Sequence, residues 1–140
     1  MKQSLKVLTI AALTALLAGC GSDTASFLVD GNDKAVTLER IKEYPWSDWE
    51  LELIVRNNPE CQRRHKLKPT SSDGVKVELY TPEPYVFIVK QGKRWYVTEM
   101  KSCQLQLFKE APPLPGKLIG TFKEKDGAFS FVPDGQAAAE

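Results

Sequence analysis

The stretch WELELIVR, residues 49–56, decides the fold class of this chain. Its apolar side chains fall on every second position, namely Trp49, Leu51, Leu53 and Val55. Charged residues occupy the positions between them, interrupted only by Ile54. Because successive side chains of a strand point to opposite faces, this alternation predicts a half-buried β-strand. The Asn-Asn-Pro sequence that follows predicts a turn.

Hairpin signals extend this pattern in both directions along the chain. FLVDGND, residues 27–33, joins an apolar run to a glycine turn, and AVTLERI resumes at once. Residues 85–100 form two β-rich arms with a predicted turn at Gln91-Gly92. Residues 118–132 fold back over Asp126-Gly127, which is among the strongest short hairpin signals. These signals are typical of antiparallel strands.

Two further segments alternate, and prolines separate one of them from the last hairpin. VKVELY, residues 75–80, is predicted to turn Val75, Val77 and Leu79 inward. CQLQLF, residues 103–108, is predicted to place Cys103 with the leucines that follow on one face. APPLPG, residues 111–116, lacks the N–H groups that a ladder needs. A helix over residues 37–44 is an open alternative, since TLERIKEY contains strong helix formers.

The fold prediction is therefore all-β: a single small antiparallel β-sandwich or barrel of about eight strands with one disulfide. The predicted boundaries are a signal peptide over residues 1–19, a lipidated cysteine and flexible tether over 20–26, a β-rich domain over 27–133 and a disordered tail over 134–140. Strand order, and sandwich against barrel, stay open.

The first 20 residues have the pattern of an export signal. Lys2 and Lys6 precede a mostly apolar run over residues 7–18, and small residues follow. A charged start, a short apolar core and small residues before a cleavage site are typical of a secretory signal peptide. The run is shorter than the roughly 20 residues that a membrane-spanning helix needs.

The end of this segment, Leu17-Ala18-Gly19-Cys20, resembles the lipobox of bacterial lipoproteins. The resemblance implies that the peptide is cut before Cys20 and that Cys20 carries fatty acyl chains such as palmitate. Gly21 after the cysteine, instead of aspartate, implies the periplasmic face of the outer membrane. In size, strand content and its cysteine pair, the remainder resembles small β-rich lipoproteins of proteobacteria.

The charge balance of the chain argues against nucleic acid as a partner. Removing residues 1–19 takes two lysines from the 19 basic residues, which leaves 17 basic against 18 acidic residues. A nearly neutral, exported domain does not favour nucleic acid. The expected partners are the membrane, through the lipid on Cys20, and a protein of the cell envelope.

Cys61 and Cys103 are the remaining cysteines, and in an oxidising compartment such a pair predicts a disulfide. The alternatives are a redox pair or half of a metal site. Redox pairs are usually close in sequence, and a metal site needs more ligands than His65 adds. The prediction is a structural bridge.

Catalytic patterns are absent from the sequence. His65 is the single histidine, and basic residues flank it on both sides. No serine-hydrolase elbow, metalloprotease motif or phosphate loop is present. The acidic pair Glu50 and Glu52 shares a strand face, where solvated acids are usual. We therefore predict a protein that is not an enzyme and has no cofactor and no metal.

Two features predict recognition instead of chemistry. The basic run at residues 63–68 supplies the candidate partner-binding residues Arg63, Arg64, His65 and Lys66. An alternative is a solvated strand whose charges prevent edge aggregation, and neighbours such as Arg63 and Arg64 would point to opposite faces. Trp46, between Pro45 and Ser47, is the aromatic residue most suited to an exposed contact. The other aromatic residues fit a core.

These observations predict an envelope lipoprotein that acts as a non-catalytic interaction or accessory module of an envelope assembly. An alternative is an inhibitor or immunity protein against an envelope-acting enzyme such as lysozyme or a toxin. That alternative requires a rigid, protruding loop. A third possibility, a ligand carrier, requires an interior cavity.

Overall fold

The computed structural model describes residues 21–71 and 74–135, and every regular element in them is a β-strand. No helix among these residues is long and apolar enough to cross a membrane. The ten strands are β1 Gly21–Asp30, β2 Lys34–Lys42, β3 Glu50–Asn57, β4 Cys61–Lys66, β5 Lys76–Glu83, β6 Val86–Gln91, β7 Arg94–Glu99, β8 Leu105–Leu107, β9 Lys117–Lys125 and β10 Ala128–Pro133.

The first sheet contains the stretch that decides the fold. Its four antiparallel strands pair in chain order, β1-β2-β3-β4. Leu53 of β3 lies between Leu38 of β2 and His65 of β4. Leu51, Leu53 and Val55 are buried, as the alternation predicts, while the residues between them are partly exposed.

The second sheet has six antiparallel strands in the order β10-β9-β5-β6-β7-β8. Strands β5 to β8 form a meander, and β9 then returns to pair beside β5. The proline-rich connection over residues 108–116 joins the two sides of the sheet. It begins where Phe108 N–H donates to Trp95 O (2.8 Å) and ends where Gly116 packs against the backbone of Thr81 and Pro82.

The predicted hairpin turns are confirmed, with one shift of position. Asp126 and Gly127 both have positive φ (53° and 81°), as a type I′ turn requires. The β6–β7 loop consists of Gly92 and Lys93, one residue later than the predicted Gln91-Gly92, because Gln91 pairs with Arg94. Glycine supplies the positive φ of 59° at the first loop position.

The core lies between the two sheets, so the predicted all-β sandwich with one disulfide is confirmed. Val77 and Leu79 of β5 face the same core as the buried residues of β3, and Phe122 completes it from β9. The described residues form ten strands instead of about eight, and the basic run, which had no clear strand pattern, forms one of them, β4. All ten strands of the described residues, the core cluster and both disulfide cysteines lie within residues 21–135.

The tether predicted over residues 20–26 is wrong for the part that the structure describes. Gly21 already pairs with Lys42, and Ala25 is buried opposite Leu38. The small polar residues of this segment fit a strand because β2 supplies the ladder partners. Cys20 and the predicted signal peptide lie outside the described residues.

Two further expectations need correction. Residues 37–42 continue strand β2, so the helix alternative over residues 37–44 is wrong. Asp134 is hydrogen-bonded, its N–H donating to Ile119 O (2.8 Å), whereas a disordered tail was predicted from there. Gly135 is also described, and residues 136–140 lie outside the described part.

CQLQLF is a strand for only half its predicted length. Strand β8 covers Leu105–Leu107, and Leu107 is 53% exposed instead of facing the core. Cys103 precedes β8 in a tight turn with φ of 59°. It is nevertheless fully buried, because the turn, and not strand alternation, directs its side chain inward.

Candidate functional site

The predicted disulfide between Cys61 and Cys103 is present, with a Cα–Cα distance of 5.9 Å. It joins β4 of the first sheet to the turn that follows β7 of the second. Asn57 supports the same turn by donating from Nδ2 to Met100 O (2.6 Å). His65 Nε2 lies 2.7 Å from Cys103 O. The single imidazole is therefore part of this structural junction.

The basic run of β4 does not form one cationic patch. Arg64 projects from the outer face of the first sheet, where its Nη1 lies 2.8 Å from Glu39 Oε2 and 2.5 Å from Glu52 Oε2. The hydrogen bonds that Arg64 donates to these two carboxylates raise its pKa above the usual value. Arg63 points the other way and donates from Nε to Ser102 O (3.2 Å). Three of the predicted binding residues thus already contact other parts of the fold, namely Arg63, Arg64 and His65. Lys66 is exposed and has no partner among the described residues.

Trp46 occupies a tight turn between β2 and β3 and is 80% exposed. Ser47 N–H donates to Tyr44 O (3.0 Å), and Tyr44 N–H donates to Ser47 Oγ (3.2 Å). Pro45 further fixes this turn. The rings of Tyr44 and Trp46 stack with centroids 5.3 Å apart and planes at 7°. The sequence predicted an exposed Trp46, and its exposure is confirmed; its role in binding stays a prediction.

This turn lies at the end of the sandwich where the described chain begins. We call it the proximal end and define it by Gly21, Trp49, Thr70 and Gln91. The ring of Trp49 is in contact range of Gly21, and Trp49 forms a β-bridge with Thr70. Gln91 Nε2 then donates to Thr70 Oγ1 (3.3 Å), so contacts connect Gly21 continuously to the second sheet.

A basic pocket of about 470 Å³ opens at the proximal end. We define it by the four cations in its lining, Lys68, Lys76, Lys93 and Arg94. Lys76 Nζ lies 3.4 Å from Glu78 Oε1, and within residues 21–71 and 74–135 the other three have no ion pair. The pocket therefore concentrates positive charge in a chain that is nearly neutral as a whole.

Gln91 joins the two walls of the basic pocket. It is buried and donates from Nε2 to Lys68 O (2.5 Å) as well as to Thr70 Oγ1. These bonds hold the segment after β4 against the β6–β7 loop, so Lys68 is kept beside Lys93 and Arg94. The sequence alone does not predict this pocket, because Lys68 belongs to the basic run whereas Lys93 and Arg94 follow the Gly92 turn, far from it along the chain.

The aromatic residues after that turn divide between the two faces of the second sheet. Tyr96 is buried in the core, as predicted, whereas Trp95 lies on the outer face against Tyr80 (ring centroids 5.7 Å apart). Tyr80 donates from its hydroxyl to Glu78 Oε2 (2.5 Å). Burial and this hydrogen bond raise the pKa of Tyr80 to about 12, while the same bond lowers the pKa of Glu78.

An apolar cleft of about 440 Å³ lies at the opposite end of the sandwich. Phe27 and Val29 of β1, Phe87 of β6 and Ile119 of β9 line it, and Tyr85 closes one side. Tyr85 has φ of 64° and places its hydroxyl 3.4 Å from Asp30 Oδ2. This cleft is an opening between the sheets and not an enclosed ligand cavity.

Residues 21–71 and 74–135 contain no group of three or more histidine, cysteine, aspartate or glutamate side chains placed to hold a metal ion. Comparison with protein-family models, with curated proteins and with solved structures gives no match to this chain.

Proposed function

We propose that this chain is a lipoprotein of the bacterial cell envelope, held in the membrane by a lipid on Cys20, and that its sandwich is a non-catalytic interaction module of an envelope assembly. The anchor part of the proposal is supported by the sequence of residues 1–20. A short apolar run that ends in Leu-Ala-Gly-Cys is typical of lipidated proteins. Several acyl chains on one cysteine give stable membrane attachment, which a single chain does not.

One observation carries the interaction part: the stacked pair of Tyr44 and Trp46 is exposed on a rigid turn. A tryptophan that is 80% exposed gives up the free energy that burial in a core would supply. Tryptophan and tyrosine are also enriched at the energetic centres of protein interfaces. The turn is already fixed by two hydrogen bonds, so little conformational entropy is lost when a partner binds.

The anchor is tested in bacterial cells with the full chain and its Cys20→Ala variant. Cells receive a clickable palmitate analogue, and the protein is isolated by an affinity tag at its C-terminus. The natural chain is expected to carry the label and the variant to lack it. A Cys20→Ala variant that is labelled as strongly as the natural chain would contradict the proposed anchor.

The interaction is tested by photo-crosslinking with the full chain in living cells. A photoreactive amino acid replaces Trp46 in one variant and Lys101 in the control, since both positions are exposed but lie at opposite ends of the sandwich. We expect a discrete protein adduct from position 46 that is missing from position 101. Equal adduct patterns from both positions would contradict a binding role for this turn.

The rigid turn also supports a second candidate function, an inhibitor or immunity protein of an envelope-acting enzyme. A fixed turn that presents one aromatic side chain is the kind of element that enters an enzyme cleft. Under this alternative the natural protein slows lysozyme digestion of cell-wall material, and Trp46→Ala abolishes the effect. If neither protein changes the rate of digestion, lysozyme is eliminated as the target.

A further inference from the structure

We propose that the basic pocket binds the phosphate of an anionic lipid headgroup at the membrane surface. This inference rests on the proposed function, because it takes the lipid on Cys20 as the reason that the proximal end faces a membrane. The basic pocket gives the folded sandwich a second contact with that membrane, in addition to the acyl chains.

The basic pocket carries an excess of positive charge. Lys68, Lys93 and Arg94 are exposed and have no ion pair among the described residues. Lys76 stands directly opposite Lys123 on the neighbouring strand β9. Like charges at directly opposed positions destabilise a sheet, and gathering cations in one pocket adds to that cost. A bound phosphate offsets the repulsion, and its oxygens accept charge-assisted hydrogen bonds from lysine and arginine.

The walls of the basic pocket are held together by hydrogen bonds within the protein. The buried Gln91 bonds to both Lys68 O and Thr70 Oγ1, which fixes the spacing of the pocket walls before any ligand arrives. Lys93 lies in the two-residue β6–β7 loop, and Arg94 begins β7 directly after it. The volume of about 470 Å³ is within the range of sites that hold small molecules. The cations therefore border a formed recess instead of being scattered along a flat surface.

The position of the basic pocket near Gly21 favours a lipid as the source of the phosphate. The pocket residue Thr70 contacts Trp49, and Trp49 reaches Gly21, the residue that directly follows Cys20. Strand β1 begins at Gly21, so no long linker separates the proposed anchor from the proximal end. A short connection gives headgroup phosphates a high effective concentration at the pocket. Cations beside an anionic leaflet each add to membrane attachment.

The consequence for the proposed function is a fixed orientation. Acyl chains alone attach the sandwich at one point and leave it free to tilt. A second contact through the basic pocket keeps the proximal end against the membrane, and Tyr44 and Trp46 lie at that end. A protein partner of Trp46 then has to present its surface close to the headgroups.

The first experiment measures vesicle binding by the unlipidated chain of residues 21–140, which contains all ten described strands, the core and the disulfide cysteines. Co-sedimentation compares vesicles of phosphatidylcholine alone with vesicles that also contain phosphatidylglycerol. We expect binding to the anionic vesicles only. The Lys93→Ala, Arg94→Ala double variant should bind about 25-fold more weakly, or about fivefold for each cation removed.

The matched control removes the same charge from the opposite end, with Lys34→Ala and Lys101→Ala. This variant has the same net charge as the pocket variant and should bind like the natural chain. Circular dichroism establishes that all three chains are folded. Equal weakening by both double variants would show diffuse charge attraction, and absence of binding by the folded natural chain would equally overturn the proposed pocket.

The second experiment separates a lipid headgroup from free phosphate. Amide NMR spectra of residues 21–140 are recorded with soluble short-chain phosphatidylglycerol and with inorganic phosphate. Shifts at Gly74, Gly92 and Arg94 that saturate at lower lipid than phosphate concentration support a headgroup site. Equal or tighter binding of inorganic phosphate overturns it. Since this chain lacks Cys20, failure here leaves the palmitate and crosslinking tests of the proposed function unaffected.

Discussion

Arg40 of the first sheet and Glu124 of the second sheet are joined by an ion pair, with Arg40 Nη2 3.1 Å from Glu124 Oε1. Arg40 is only 6% exposed and also pairs with Asp23 on β1 at 2.9 Å. Its guanidinium lies over the rings of Trp49 (4.3 Å) and Phe129 (4.6 Å). One planar cation thus closes the proximal end of the sandwich, because it binds both sheets and fills the space between two aromatic rings.

Replacing Arg40 should therefore cost much more stability than replacing an exposed arginine. We expect Arg40→Ala to lower the free energy of unfolding by about 3 kcal/mol, since it removes the cation–π contacts, the packed side chain and a charge that its acidic partners face. The matched control is Arg64→Ala, which removes an exposed cation with two acidic partners and should cost much less stability. Urea denaturation measures both, and similar losses for the two variants would refute the special role of Arg40.

The disulfide should supply a large share of the stability of the domain. Cys61 and Cys103 are 42 positions apart, and a loop of that size corresponds to about 4 kcal/mol in the chain-entropy model. We expect the Cys61→Ser, Cys103→Ser double variant to lose about that much. Urea denaturation of the natural chain with and without a reducing agent gives an independent measurement. If reduction leaves the midpoint unchanged, the bridge has no such role.

Gly116 should resist substitution because of where the proline-rich connection ends. Its φ is 92°, and an added Cβ would collide with the backbone of Thr81 and Pro82. We expect Gly116→Ala to destabilise the fold by about 3 kcal/mol, from backbone strain and from displacement of β5 or β9. Gly135→Ala is the control, since an added Cβ there meets no atom within 4 Å. Thermal unfolding should separate the two variants clearly; equal midpoints would count against the described close approach.

Glu99 should make stability depend on pH. Its carboxylate accepts hydrogen bonds from the hydroxyl and N–H of Ser102 and from Lys101 N–H, and these bonds lower its pKa. A carboxyl whose folded pKa is depressed stabilises the fold above its unfolded pKa of about 4.3, and the contribution is lost as pH falls through the folded value.

The Glu99→Gln variant isolates this contribution, because the other carboxylates are unchanged. We expect it to be less stable than the natural chain by about 1 kcal/mol at neutral pH. The difference should shrink once the pH is below the folded pKa of Glu99. Urea denaturation across acidic pH measures it. A difference that is constant from neutral to strongly acidic pH would show that the lowered pKa does not contribute.

The fold could be predicted from the sequence wherever one face of a strand is buried. The alternation of Leu51, Leu53 and Val55 and the Asp126-Gly127 turn are local signals with a direct physical cause, and both are confirmed. Cys103 shows the limit of such signals. Its side chain is buried by a turn with positive φ, although the sequence from Cys103 to Phe108 alternates as a strand would.

The surface was harder to predict because its residues come together from separate parts of the chain. Adjacent basic residues 63–66 suggested a patch, but neighbouring positions of a strand face opposite ways and both arginines have partners in the fold. The basic pocket combines one residue after β4, one at the start of β5 and two near the β6–β7 turn. Their proximity depends on the packing of two sheets, which sequence spacing does not contain.

The early start of β1 has a consequence for release of the domain from a membrane. Proteases bind their substrates as extended chains with unpaired backbone groups. Residues 21–30 form the edge strand β1, whose backbone groups on one side pair with β2 from Gly21 onward. If Cys20 carries the proposed anchor, the cut that would free the sandwich falls in a strand that β2 already holds along one side. Shedding by proteolysis therefore requires β1 to separate from β2 first, and the hydrogen bonds of one edge strand set how long the protein stays on its membrane.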